Sequence, residues 1–154
     1  MIESPLIVFA NTHGVFIVLA FVVLYEYFVV RRREMALHAL LSAVTAMVFG
    51  LVLKELFLVP RPFVYDGYPQ AGLTGFSSLP SVHAAIAFSL ATSVTLHQKS
   101  IGVFLFCVAA LISLGRVLAN VHYPADIAVG VLIGVLIGLI FNEVHIRVRK
   151  KKKA

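Results

Sequence analysis

Charge is what this chain has least of. Only 13% of its 154 residues are charged, and just 7 are acidic. A typical soluble domain is about 25% charged and about 45–50% apolar. Here 60% of residues are hydrophobic and the mean hydropathy is +0.98. A water-soluble fold of this length has no interior large enough for that much apolar surface. Disorder is excluded too, because disordered chains are poor in apolar residues. Tryptophan is absent and there is 1 cysteine, Cys107, which excludes an internal disulfide framework and a cysteine-rich metal site. Cys107 lies in an apolar run and is expected to be a small buried hydrophobe. The shortage of acid leaves a net charge of +6. The basic residues flank hydrophobic runs and form no separate basic domain, so nucleic acid is excluded as a partner. What remains is an all-α chain embedded in a bilayer, with one domain over residues 1–154.

Five hydrophobic runs stand out: 6–30, 35–59, 81–97, 101–120 and 124 to about 145. At roughly 20 residues per spanning helix, each can cross the membrane, the third only just. Arg31, Arg32 and Arg33 end the first run, and Pro60 and Pro62 close the second. Met1–Pro5 carries no positive charge ahead of a run too long for a signal-peptide core, so that run is kept as the first span. Lys and Arg accumulate on the cytoplasmic side of a membrane protein. Placing Arg31–Arg33 inside also places Lys99 and the basic tail 147–154 inside, which accounts for ten of the 13 basic residues. The N-terminus is then outside and the C-terminus cytoplasmic, and the loop 61–80 and the turn at His122 face outward.

Three basic residues break that partition: Lys54, Arg61 and Arg116. Any one of them alone could snorkel to the headgroups. Three at one face, with nothing else basic there, suggest a shared anionic ligand. Lys54 and Arg61 are seven residues apart and share a helix face if the helix persists that far. Ser81, after Pro80, is a good helix N-cap, and a helix N-terminus attracts anions. Arg116 leads to His122, Pro124 and Asp126, with Pro124 suited to the first helical position. Chemically this is a phosphoryl-transfer set. The cations can neutralise phosphate oxygens, with Arg able to do so in bidentate fashion. His122 can act as nucleophile while Asp126 holds its other ring nitrogen, and His83 can protonate a leaving oxygen. A structural histidine capped by a local aspartate is the alternative for any one of these taken singly.

The ordered motifs Lys54-x6-Arg61-Pro62, Pro80-Ser81-x-His83 and Arg116-x5-His122-x3-Asp126 resemble those of the type 2 phosphatidic acid phosphatase superfamily, which also contains the vanadium haloperoxidases. The resemblance implies a metal-independent phosphatase with no cofactor. It implies that His122 forms a phosphohistidine, with Asp126 as its partner and His83 as the acid. Lys54, Arg61, Ser81 and Arg116 would bind the phosphate. The family usually has Gly where Val82 stands and Ser where Gly115 stands, which rearranges part of the oxyanion contacts. Integral-membrane members usually have six spans with the first motif closing the third; here it closes the second, as in a member lacking the usual first span.

The expected activity is hydrolysis of a phosphomonoester or pyrophosphate on a lipid at the outer membrane face. The resemblance favours undecaprenyl pyrophosphate, with phosphatidylglycerophosphate, phosphatidic acid and lipid A phosphate as alternatives. A small anion-binding channel or transporter fragment is the non-enzymatic alternative, and the sparse charge on the inner halves of the spans counts against it. The outer-face carboxylates, Glu55, Asp66 and Asp126, are too few for a two-metal site. Gly130, Gly134 and Gly138 form a small-residue ridge suited to packing within the bundle or to a homodimer seam. His13 and Asn11 are candidates to line the pocket, although helix–helix hydrogen bonding is the commoner role. His38, His97 and His145 are expected in solvated or interfacial surroundings at the inner face. Glu26 is expected to pair with a neighbouring Arg. Phe63, Tyr65, Tyr68 and Phe76 fit an interfacial aromatic belt.

Overall fold

The computed structural model describes residues 5–65 and 77–153. Tyr68, Phe76 and Asp66 lie outside the described residues, as does the Asn11 side chain. Among the described residues six α-helices follow in order: α1 (Pro5–Leu24), continued by a π-helical turn (Tyr25–Val29), α2 (Arg33–Phe57), the single turn α3 (Pro62–Tyr65), α4 (Val82–Thr95), α5 (Lys99–Leu118) and α6 (Pro124–Lys153). Segments Thr12–Val29, Arg33–Phe57, Lys99–Leu118 and Pro124–His145 are each long and apolar enough to cross a membrane. α4 has only 14 residues, but 11 of them are buried, and α2, α5, α6 and α1 all pack around it. It can be short because the other helices shield it from lipid.

The core is small and the exterior is large, the reverse of a soluble protein. Ala43, Ala46, Ala84, Ala85 and Ala91 are buried, while Phe21, Leu56, Phe104, Leu111 and Leu118 face outward, Leu118 with 76% of its surface exposed. Lipid removes the penalty on apolar exposure, so bundle contacts select small side chains and interhelical hydrogen bonds. The Ser42 and Ser93 hydroxyls, 2.7 Å apart, join α2 to α4 in this way.

The glycine ridge of α6 belongs to this interior. A Cβ added at Gly130 would lie 2.5 Å from the Ser81 carbonyl, one at Gly134 2.5 Å from the Ala85 carbonyl, and one at Gly138 2.7 Å from Thr92 Cβ. The ridge is therefore covered by α4 and is not free to form a homodimer seam. Cys107 also departs from expectation: it is exposed on the outer side of α5, because an apolar run in lipid gives no sign of which side faces inward. α2 stops at Phe57, where Leu58 takes φ 36°, short of Pro60. Lys54 and Arg61 therefore do not share a helix face. α6 continues through the basic tail, with Arg147 Nε bonded to Glu143 at 2.9 Å.

Candidate active site

The chain between α5 and α6 is built to hold one imidazole. α5 ends at Leu118 and Asn120 takes φ 55°, which turns Val121 and His122 back into the bundle, where both are buried. α6 then starts at Pro124, a residue preorganised for a first helical turn. Asp126 Oδ2 accepts from the Tyr123 N–H at 2.8 Å, half of a capping box. The same oxygen lies 3.4 Å from His122 Nδ1. The buried Ser78 hydroxyl, which donates to the Pro60 carbonyl at 3.4 Å, is near enough to act on the carboxylate. With Nδ1–H directed at Asp126, the lone pair falls on Nε2, a tautomer assigned from this contact.

Three cations surround this pair. Arg61 enters from the segment between α2 and α3 and is 6% exposed; its Nη1 donates to the Val121 carbonyl at 3.2 Å, fixing the turn next to His122. Lys54, in the last turn of α2, donates from Nζ to the carbonyls of Ser77 at 2.7 Å and Ser78 at 3.2 Å. Arg116, in the last turn of α5, is 2% exposed. All three act electrostatically on His122. Burial pushes the imidazole down to about 4; the Asp126 hydrogen bond opposes the shift and Lys54, Arg116 and Arg61 reinforce it. At neutral pH His122 is therefore uncharged and holds its lone pair. The Asp126 carboxylate does not balance two buried guanidinium groups and the half-buried Lys54 ammonium, and such an imbalance is relieved by binding an anion.

The remaining two residues come from the start of α4. Ser81 Oγ caps its own helix, accepting from the Ala84 N–H at 3.4 Å, and the Ser81 N–H donates to the Asp126 carbonyl at 3.0 Å. The cap uses Oγ as an acceptor, so the Ser81 O–H can still donate to an anion beside the first-turn amides of α4. His83 Nε2 sits 3.1 Å from the Thr12 carbonyl of α1, with Arg116, His122 and Arg61 near enough to act on it. The structure therefore gathers all seven sequence-derived candidates at one end of the bundle. His13 is exposed there and lies beside Phe9, while its neighbour Thr12 makes the contact to His83. Thr12, Ser77, Ser78, Val121 and Tyr123 were not legible as part of the site. All five act through backbone atoms, which any residue type supplies. Only the Ser77–Ser78 pair ahead of Pro80 carried a signal.

The geometry agrees with the family comparison, in which residues 35–150 match the model of the PAP2 superfamily. The chain belongs to the PAP2 superfamily. Among solved structures, Aquifex aeolicus LpxE is 30% identical with a TM-score of 0.67, over 92% of this PAP2 chain and 88% of that one. A transmembrane PAP2 type phosphatidylglycerolphosphate phosphatase from Bacillus subtilis is 21% identical with a TM-score of 0.69, over 95% of this chain and 80% of that one; at that identity it speaks for the fold alone. Among curated proteins, the bacitracin transport permease protein BcrC of Bacillus licheniformis is 27% identical over 120 residues, 77% of this chain and 59% of that protein. YbjG of Escherichia coli (strain K12), which carries the provisional name undecaprenyl-diphosphatase, is 27% identical over 113 residues, 72% of this chain and 57% of that protein. The chain spans less than two-thirds of the length of both curated relatives.

Proposed function

We propose that this PAP2 chain is a membrane lipid phosphatase working through a phosphohistidine at His122, with undecaprenyl pyrophosphate as its substrate. The observation that carries the reading is the buried His122–Asp126 pair, at 3.4 Å, set among three cations. His122 Nε2 attacks the terminal phosphorus, and the bond to the bridging oxygen breaks. His83 gives the departing undecaprenyl phosphate its proton. Lys54, Arg61, Arg116 and the α4 amides hold the equatorial oxygens, where charge gathers in the transition state. Asp126 steadies the positive ring while it carries the phosphoryl group. Water, giving a proton back to His83, then cleaves the P–N bond, releases inorganic phosphate and restores the lone pair. The cations supply the charge neutralisation that a divalent metal provides in other phosphatases.

A site level with one membrane face suits a substrate whose tail stays in the bilayer. Ten of the 13 basic residues lie toward the other face, which favours an extracytoplasmic site and a cytoplasmic C-terminus. The YbjG name supports the choice of polyprenyl pyrophosphate. The test is phosphate release by the purified protein from undecaprenyl pyrophosphate, phosphatidylglycerophosphate, phosphatidic acid and lipid A phosphate. The highest kcat/KM is expected for undecaprenyl pyrophosphate. A different preferred lipid reassigns the substrate, and no release from any of them contradicts the reading.

A further inference from the structure

At the far end of the bundle, about 24 Å along α2 from Lys54, three helices bring three histidines together. His38 on α2, His97 just past α4 and His145 on α6 have ring centroids 5.4, 5.2 and 5.6 Å apart in the pairs 38–97, 38–145 and 97–145. Their sidedness in the sequence predicts solvated or interfacial surroundings. Instead His38 is 6% exposed, and neither of its ring nitrogens has a hydrogen-bond partner among the described residues. A buried polar group left in that state calls for an explanation such as a water or an ion.

We propose that His38, His97 and His145 form a binding site for a divalent transition metal of the Zn²⁺ type, separate from the phosphate chemistry. The ring spacing is one reason. Imidazoles held about 2.0–2.1 Å from a tetrahedral ion through nitrogen have centroids about 5 Å apart. The rings are inclined, at 78°, 43° and 71°, and not stacked, as ligands approaching one point from three directions must be. His97 Nδ1 sits 2.9 Å from the Ser93 carbonyl. Donation there leaves the Nε2 lone pair for a metal, the outer-shell arrangement common to metal-ligating histidines. Imidazole is also the ligand type that Zn²⁺, Cu²⁺ and Ni²⁺ favour.

The surrounding charge is mixed. Arg31, Arg32 and Arg33 line a cavity of about 480 Å³ with His97 and His145. Arg32 acts on the buried Glu26 carboxylate, and Arg33 lies over the Tyr27 ring. Glu26 places a carboxyl group next to His97: its Oε1 accepts from Gln98 at 2.7 Å, and its Oε2 has no hydrogen-bond partner among the described residues. Among the described residues no three ligand groups already meet in a metal-holding arrangement, so closure round an ion requires the imidazoles to rotate on their side-chain torsions.

The test uses the full chain in detergent, purified without a polyhistidine tag, and Zn²⁺ titrated against a chromogenic chelator at pH 7.5. One Zn²⁺ per chain is expected. His38→Phe and His145→Ala should each weaken binding at least about tenfold, while phosphate release, which occurs at the other end, is retained. Zn²⁺ should raise the Tm of the wild type and not of the variants. Absence of stoichiometric binding, or unchanged affinity in both variants, overturns the proposal. Should the variants fail to fold, Cu²⁺ EPR of the wild type decides: coupling to three nitrogens supports the site, and fewer than three overturns it.

Discussion

Asp126→Asn isolates the charge of the orienting carboxylate. One oxygen, Oδ2, takes both the Tyr123 N–H at 2.8 Å and the His122 Nδ1 contact at 3.4 Å. An asparagine carbonyl in the same place keeps both contacts, so helix capping and the imidazole tautomer survive and the negative charge alone is lost. Unit charges 3.4 Å apart attract by about 5 kcal/mol at an effective dielectric of about 20. That is the value for a fully formed phosphohistidine cation. With about half the charge developed in the transition state, the loss is about 2.5 kcal/mol, or roughly 10²-fold in kcat. The assay is phosphate release from undecaprenyl pyrophosphate under saturating conditions, paired with thermal unfolding in the same detergent. The Tm should change little, because the cap remains. A kcat within tenfold of wild type, with the variant folded, refutes the reasoning that Asp126 stabilises charge on His122.

Other consequences follow from the same geometry. Since His122 is pushed down to about 4, kcat/KM should keep its nucleophile through the neutral range and fall below about pH 4 as the lone pair is protonated. Lys54→Met removes a positive charge that helps depress the imidazole, so its acid limb should lie at higher pH than that of wild type with the same substrate; a limb that stays in place contradicts the electrostatic account. Turnover should survive EDTA, because Lys54, Arg61 and Arg116 carry the phosphate charge; complete loss restored by Mg²⁺ would count against it. Gly134→Val should lower the Tm, since its Cβ would meet the Ala85 carbonyl at 2.5 Å and overpacking of this kind costs about 1–3 kcal/mol. An unchanged Tm would mean that α4 and α6 are not so closely packed.

The spans were legible because their ends are chemically marked, by Arg31–Arg33 and by Pro60 and Pro62. Where a helix ends for a conformational reason, the sequence was silent. Leu58 at φ 36° stops α2 at Phe57, short of the expected end at Val59, and moves Arg61 off its face, and nothing about leucine announces a left-handed residue. Inward and outward faces were equally hidden. In lipid both sides of a helix are apolar, so Cys107 on the outside and the α6 glycines on the inside look alike in periodicity. The site residues could be read because ionisable groups near a membrane are costly and few. Their supports were not legible: the carbonyls of Thr12, Ser77 and Val121 are backbone atoms. The grouping of His38, His97 and His145 depends on the rotational phase of three helices, which sidedness alone does not fix.

The central claim is a covalent bond between His122 and phosphorus. The direct measurement is rapid quench of the enzyme with undecaprenyl pyrophosphate labelled with ³²P at the terminal phosphoryl group, followed by alkaline digestion and peptide mapping. Phosphohistidine withstands alkali and is lost in acid. The account predicts acid-labile label on the peptide containing His122, label retained longer in Asp126→Asn if hydrolysis of the intermediate is slowed, and none in His122→Ala. Full turnover with no labelled histidine, or label of the same kind persisting in His122→Ala, would contradict it.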